Sequence, residues 1–415
     1  MQSDAHKNDF FRTIDTINKA VGVWLEPETS STTKRLLYIV WDTFLAVYAT
    51  AFIISEFLII ETIMGELLLL VPHIGMLVNT CVGFFEFAIL ISNQEKIANM
   101  KRVLQSESFD YEECDNSLKI VEDSKTFYNR VTITTCLAYF MVSISGHLSA
   151  LKDLNVDSRA GLYGVNATCY DFLPYLFVIP FQTSTVRRCK NAFFVMDAGL
   201  LIIAGYLGAH DTLLYAFMSC IDAKFKVVSE ASTSIRERAE FKMHLDRPYL
   251  VLRDEEIPEF EEIMYFEIKR CNDSLTKLLK VCEDLDSIFR YTLLGRAISS
   301  LLVIASCLYI GSYLSSQDPE MYHLVEYLSA GFFQIFMVCY FGVFITERGA
   351  AYNTYLYECN WYSCSTRFKQ AMLIMMSRMQ KPLYLTIGKF YPLSLETFVQ
   401  VSKAAFSYAT MLKAV

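Results

Sequence analysis

The stretch LETFVQVSKAAFSYATML, residues 395–412, decides the fold. It contains neither Gly nor Pro, and as a helix it extends about 27 Å, close to the thickness of one bilayer core. Polar side chains recur along it at helical spacing and fall on one face: Thr397, Gln400, Lys403, Ser407 and Thr410. The opposite face carries Phe398, Val401, Ala405, Tyr408 and Leu412. Because lipid cannot satisfy polar groups, the polar face should meet a bundle interior or water, as a pore lining would.

The rest of the chain predicts an all-α membrane protein with seven transmembrane helices. Its 415 residues are 53% hydrophobic, and the mean hydropathy is +0.29. The apolar blocks that predict the helices are 36–60, 67–92, 131–151, 192–214, 291–314, 324–346 and 395–412. Segment 172–181 is apolar but short and contains two prolines, which predicts a packed extracellular loop. Residues 1–35 are polar, so no cleavable signal peptide is expected.

The Lys and Arg residues predict a cytosolic N-terminus and an extracellular C-terminus. With that orientation the inside segments hold 29 of them and the outside segments 6. The glycosylation sequon at Asn166 then falls outside the cell. The predicted organisation is a cytosolic segment 1–35, helices in 36–220 with an extracellular loop 152–191, a cytosolic loop and anchor 221–290, helices in 291–346, a cytosolic anchor segment 347–394 and helix 395–412.

Transmembrane helices four, five and six should continue beyond the membrane and pack together there. The loop 221–290 is charged, yet Ile263, Leu275, Leu278 and Leu285 in it recur at helical spacing. Apolar positions between charges need partners, so this region is too patterned for disorder.

Several charged residues lie inside the predicted spans. Arg296, Glu347 and Glu56 lie near predicted helix ends, where snorkelling to the surface explains them. Glu86 and Asp197 lie deeper and favour buried polar contacts. Lys403 either lines a wet vestibule or pairs with an acidic neighbour.

The sequence gives little support to other classes of function. The six His and twelve Cys residues show no metal-ligand spacing, and no catalytic motif is present, so neither enzyme chemistry nor a cofactor is expected. The net charge of −8 argues against nucleic acid as a partner. Cys169 and Cys189 fall in the predicted extracellular loop and could form a disulfide or remain two free thiols.

The C-terminal residues resemble the signature of insect odorant receptors. The matching positions are Lys381-Pro382-Leu383, Gly388, Phe390, Pro392-Leu393-Ser394, Thr397-Phe398, Phe406-Ser407-Tyr408 and Leu412, with Tyr357 and Trp361 upstream. The resemblance implies a subunit of a ligand-gated cation channel in the plasma membrane of olfactory neurons. It implies a heterotetramer with the shared co-receptor, contacts at the cytosolic anchor (263–285 and 357–361), and a small volatile ligand.

The predicted ligand pocket centres on the third span. Ser143, Gly146 and Ala150 are small residues at helical spacing, which either pack helices closely or open a cavity wall; the resemblance favours the wall. The other predicted pocket residues are His73, Leu77, His147, Met196, Leu200, Tyr327 and Phe333. In the resembled family an apolar residue three places after the Tyr of the Ser-Tyr pair closes the pore, and Met411 holds that position. Met411 could equally pack against a neighbouring helix end. The predicted pore-lining residues are Gln400, Lys403, Ser407 and Thr410.

Two receptor classes compete with this interpretation. A G-protein-coupled receptor would need an extracellular N-terminus and motifs that this chain lacks. A gustatory-type receptor that forms channels alone fits the topology, but the C-terminal residues favour the odorant branch. The family's co-receptor has a longer loop between spans four and five than residues 221–290, which indicates a ligand-binding subunit here.

Overall fold

The computed structural model describes residues 9–23, 32–111, 116–159, 168–243, 257–315 and 319–414. Asn166 lies outside them. Within them the chain is almost wholly helical, which confirms the predicted all-α class. The helices are α1 (Arg12–Val21), α2 (Thr32–Ile63), α3 (Leu67–Ser92), α4 (Gln94–Leu104), α5 (Ser117–Arg159), α6 (Val186–Thr233), α7 (Ile235–Lys242), α8 (Pro258–Gly311), α9 (Pro319–Glu358), α10 (Thr366–Met379) and α11 (Leu395–Ala414). Strands β1 (Thr386–Ile387) and β2 (Tyr391–Pro392) pair antiparallel.

Among the described residues, six helices are long and apolar enough to cross a membrane: α2, α3, α5, α6, α8 and α9. Each contains one of the apolar blocks read from the sequence. The last block forms α11, which has 20 residues. Because one face of α11 is polar, this helix is not one of the six strongly apolar helices. Such a helix does not present lipid-compatible side chains on all sides.

Helices α6, α8 and α9 are much longer than a bilayer requires. They have 48, 54 and 40 residues, whereas about 20 span the hydrocarbon core. Their extensions pack together through buried polar contacts. The Ser232 hydroxyl on α6 lies 2.8 Å from the Tyr352 hydroxyl on α9. Two side chains of α7, which directly follows α6, add to this packing. Arg236 donates to the Asn360 carbonyl just after α9 at 3.1 Å, and Arg238, fully enclosed, pairs with Glu267 on α8. The sequence predicted this continuation.

The extension of α8 belongs to the core of its own chain. Leu275 and Leu278 are buried with the neighbouring extensions, so the expected intersubunit contact at these two residues is wrong. The apolar spacing that suggested an interface reflects packing within the chain. Large apolar side chains are exposed instead at Tyr357, Leu373 and Ile374, and the last two are on α10.

A tight turn between the two short strands orients α11. Gly388 and Lys389 both have positive φ, 61° and 67°, and the Gly388 amide donates to the Arg290 carbonyl on α8 at 2.9 Å. A Cβ at Gly388 would come within 2.8 Å of Leu294, so glycine is required by conformation and by space. Ser394 then caps α11, because its hydroxyl accepts from the Thr397 amide at 3.3 Å.

Candidate functional site

A cavity of about 1110 Å³ lies among α2, α3, α5, α6, α8 and α9. Loop 168–185 closes part of it. Seven residues predicted from the sequence lie on its wall: His73, Gly146, His147, Met196, Leu200, Tyr327 and Phe333. Leu77 is buried but not part of the wall. Ala150 packs in an apolar cluster beneath loop 168–185, and the side chain of Ser143 lies outside the described residues.

Gly146 borders open space on the part of the cavity wall that α5 forms. A Cβ built at this position meets no atom of the described residues within 4 Å. Gly199 on α6 is the opposite case, since a Cβ there would come within 2.6 Å of the Phe52 ring. Gly146 therefore widens the cavity, and Gly199 lets two helices approach.

Loop 168–185 is held against the helices at three points. Cys169 and Cys189 form a disulfide, with their Cα atoms 5.6 Å apart. The Val178 amide donates to the Ser55 carbonyl at 3.3 Å, and the Tyr175 ring stacks on His73 with centroids 5.3 Å apart. The loop is packed, as its prolines predicted, and Tyr175 also lines the cavity.

The wall beneath this loop contains a buried carboxyl group. Glu56 on α2 is fully enclosed, so the prediction that it reaches the surface by snorkelling is wrong. Its backbone carbonyl lies 2.9 Å from His73 Nε2, and Thr80 Oγ1 lies 3.4 Å from its Oε1. Tyr175 covers this region from the side of the loop. On the far wall, His147 pairs with Asp197, which agrees with the buried polar contact expected for Asp197.

Polar side chains form the floor of the cavity. Tyr139 donates to Asp211 Oδ2 at 2.7 Å, and Gln334 contacts both residues. Behind them Arg296 lies 3.0 Å from Asp211 and also pairs with Glu86. Arg296 is 1% exposed, so the prediction that it snorkels is wrong, whereas the buried contact expected for Glu86 is observed. Five helices are joined here: α3, α5, α6, α8 and α9.

The floor residues Tyr139, Asp211 and Gln334 are not among the pocket residues predicted from the sequence. One signal was available, because Asp211 follows His210 inside an apolar block and a buried acid requires a cation or donors. The oppositely charged partner of Asp211 is Arg296, 85 residues further along the chain. Pairing the two would have required knowing that α6 and α8 are neighbours, which one sequence does not reveal.

The predicted pore residues lie on the face of α11 that turns away from the chain's own bundle. Gln400, Lys403, Ser407, Thr410 and Met411 are all exposed. Phe398, Val401 and Ala405 pack against the bundle. Two expectations fail: Tyr408 is 52% exposed, and Thr397 is buried because its hydroxyl donates to the Pro392 carbonyl at 2.8 Å.

The geometry of the described residues does not favour metal binding or thiol chemistry. Within the described residues no group of three or more His, Cys, Asp or Glu side chains could hold a metal ion. Burial raises the pKa of the thiols of Cys282 and Cys359, on the extensions of α8 and α9, to about 12. Both remain protonated at neutral pH, which removes the thiolate that nucleophilic attack or metal binding needs.

Sequence comparison decides the family. A model of the family described as "7tm Odorant receptor" matches residues 66–406. The chain belongs to the odorant receptor family. Among relatives of this receptor, Odorant receptor 2a of Drosophila melanogaster is 24% identical over 52% of each chain. Odorant receptor 13a of the same fly is 22% identical over 58% of this chain and 57% of the relative. The alignments thus span about half the length of these relatives.

The fold of the receptor is shared with a solved structure. The insect olfactory receptor OR5 from Machilis hrabei, in complex with eugenol, superposes with a TM-score of 0.80 at 14% identity. The match covers 99% of this chain and 98% of OR5. A second OR5 structure gives a TM-score of 0.74. The resemblance read from the C-terminal residues and the predicted membrane fold are both confirmed.

Proposed function

We propose that this receptor binds a small volatile molecule in the cavity among α2, α3, α5, α6, α8 and α9. The observation that carries the proposal is the space at Gly146, where the wall is recessed instead of packed. The cavity of about 1110 Å³ suits a small ligand, because such sites are largely apolar with a few polar groups that fix orientation. OR5, which shares the fold, is described in complex with eugenol.

The ligand opens a non-selective cation channel that the receptor forms with the family co-receptor. The polar face of α11 is exposed in the single chain, and a polar face on a membrane helix requires water or further subunits. A tetramer that turns this face toward a common axis supplies both. The assembly is a multi-pass complex in the plasma membrane of olfactory neurons, with the N-terminus in the cytosol.

Recordings in cells test this function directly. The receptor is expressed with and without a co-receptor, and currents are measured against an odorant panel. We expect ligand-evoked cation current only when both subunits are present. Ligand-evoked current from the receptor alone would favour a gustatory-type channel instead. An N-terminal epitope accessible on intact cells would contradict the proposed topology.

Assembly should depend on the exposed apolar residues of α10. Leu373 and Ile374 are 65% and 69% exposed, and adjacent large apolar side chains indicate an interaction surface, whereas a single exposed one does not. Replacing both with Asp should lower co-purification of the co-receptor several-fold, because a charge in an interface core is costly. Leu118→Asp is the control, since Leu118 is 74% exposed at the start of α5. Normal recovery of the complex from the α10 variant would exclude this surface as the contact.

The outer end of α11 should control the closed pore. Met411 is 65% exposed on the same side of the helix as Thr410, and apolar side chains converging on an axis can block ions by dewetting. Met411→Ala should therefore raise the ligand-free current, and Met411→Lys should lower cation conduction. Val399→Ala, which changes an exposed residue nearer the start of the helix, should leave both unchanged. Wild-type basal and evoked currents in both Met411 variants would reduce α11 to a packing element.

A further inference from the structure

The buried imidazole of His73 on the cavity wall has one nitrogen committed and one unused. His73 is 3% exposed and lines the cavity. Its Nε2 lies 2.9 Å from the backbone carbonyl of Glu56. A carbonyl oxygen only accepts hydrogen bonds, so Nε2 carries the proton. In the neutral ring Nδ1 is then an acceptor.

No described residue donates to this acceptor. His73 Nδ1 is buried and has no hydrogen-bond partner in the described part of the chain. The neighbouring groups cannot supply one: Thr80 donates to the Met76 carbonyl at 2.7 Å, and Tyr175 meets His73 through its ring face. Buried acceptors left unpaired destabilise a structure, so a donor from outside the chain would be favoured here.

The remaining cavity wall points to the same ligand chemistry. Among the described residues that line it there is no Lys or Arg. The acidic residues on it are Glu66, Asp171, Asp197, Asp211 and Glu326. A ligand carboxylate would meet like charge without a cation to pair with. A ligand that donates a hydrogen bond finds acceptors instead.

We propose that His73 Nδ1 accepts a hydrogen bond from the ligand, and that the receptor prefers apolar molecules carrying one hydroxyl group over their methyl ethers. The proposal rests on the cavity being the ligand site of the proposed function. The wall holds the apolar body and His73 orients the hydroxyl. An ether of the same shape leaves Nδ1 unpaired, and sites built around a hydrogen bond discriminate strongly against analogues that lack the donor.

The test uses the full-length receptor with its co-receptor and matched ligand pairs. The probes are straight-chain alcohols from hexanol to decanol and para-alkyl phenols, each compared with its methyl ether. Half-maximal concentrations are measured for wild type, His73→Phe and His73→Asn, with surface levels measured by biotinylation. For responding pairs we expect the wild type to favour the alcohol or phenol by about tenfold or more.

The variants separate hydrogen bonding from shape. His73→Phe keeps an aromatic ring against Tyr175 but removes the acceptor, so alcohol and ether potencies should converge. His73→Asn places an amide oxygen near the position of Nδ1 and should retain part of the preference. Ile74→Phe, at an exposed position beside His73 and off the cavity wall, should behave as wild type. If His73→Phe leaves the ratio of alcohol to ether potency unchanged, or if the wild type shows no preference for the hydroxyl compound, the inference is overturned but the proposed function is not. No evoked current from any of these probes in wild type also overturns the inference, and no evoked current from the whole odorant panel overturns the proposed function as well.

Discussion

Replacing Arg296 with Met should remove most of the folded receptor from the cell surface. Arg296 pairs with the buried carboxyl groups of both Glu86 and Asp211. Without its guanidinium, two buried acids lose the positive charge that they share. Removing one partner of a buried ion pair costs about 3–5 kcal/mol, a large part of the about 5–15 kcal/mol that stabilises a typical protein. Surface biotinylation and the monodisperse fraction after detergent extraction measure the loss.

Two further variants identify the cause. Lys280 also forms an ion pair, with Asp284 at 3.2 Å, but its side chain is 66% exposed. Lys280→Met should hardly change the stability or the surface level, because exposed ion pairs contribute about 0–1 kcal/mol to stability. Combining Arg296→Met with Glu86→Gln should restore part of the surface level, since Asp211 keeps its bond from Tyr139. Wild-type surface levels for Arg296→Met alone would mean that the network stabilises nothing.

Helix positions could be predicted from the sequence, but depth and neighbours could not. The seven apolar blocks correspond to helices because a bilayer sets a minimum length and composition for each. Arg296 was misjudged because α8 begins at Pro258 and continues without a break. No cap or turn marks where the membrane starts, so a residue taken for a helix end lies within the bundle, facing Glu86 210 positions away.

The cavity illustrates the same limit. Gly146 and His147 were predictable, because small residues and an imidazole on a membrane helix suggest a wall. Ala150 is a small residue at the same helical spacing but packs in an apolar cluster, and Leu77 is buried away from the wall. Which small residue borders empty space depends on side chains from other helices. The exposed polar face of α11 was predictable for the opposite reason, since its pattern lies within a single helix.

Filling the cavity at Gly146 should abolish or severely weaken the response to the receptor's ligand. Because a Cβ at Gly146 meets nothing within 4 Å, Gly146→Trp can place its indole in the cavity without displacing a helix. A ligand forced against it loses about 1–3 kcal/mol, which weakens binding by about 5-fold to 150-fold. Ligand-evoked currents in cells that also express the co-receptor, normalised to surface level, measure the effect.

A size series distinguishes cavity filling from damage to the helix. Gly146→Ala should retain the response and add a little stability, because Ala favours a helix by about 1 kcal/mol over Gly. Gly146→Leu should fall between Ala and Trp. Gly65→Trp is the matched control, since Gly65 also has no atom within 4 Å of a built Cβ but lies in the turn between α2 and α3. Gly199→Trp should fail differently, by losing surface expression, because Phe52 occupies that space. A Gly146→Trp receptor with wild-type responses at matched surface level would mean that the ligand binds elsewhere.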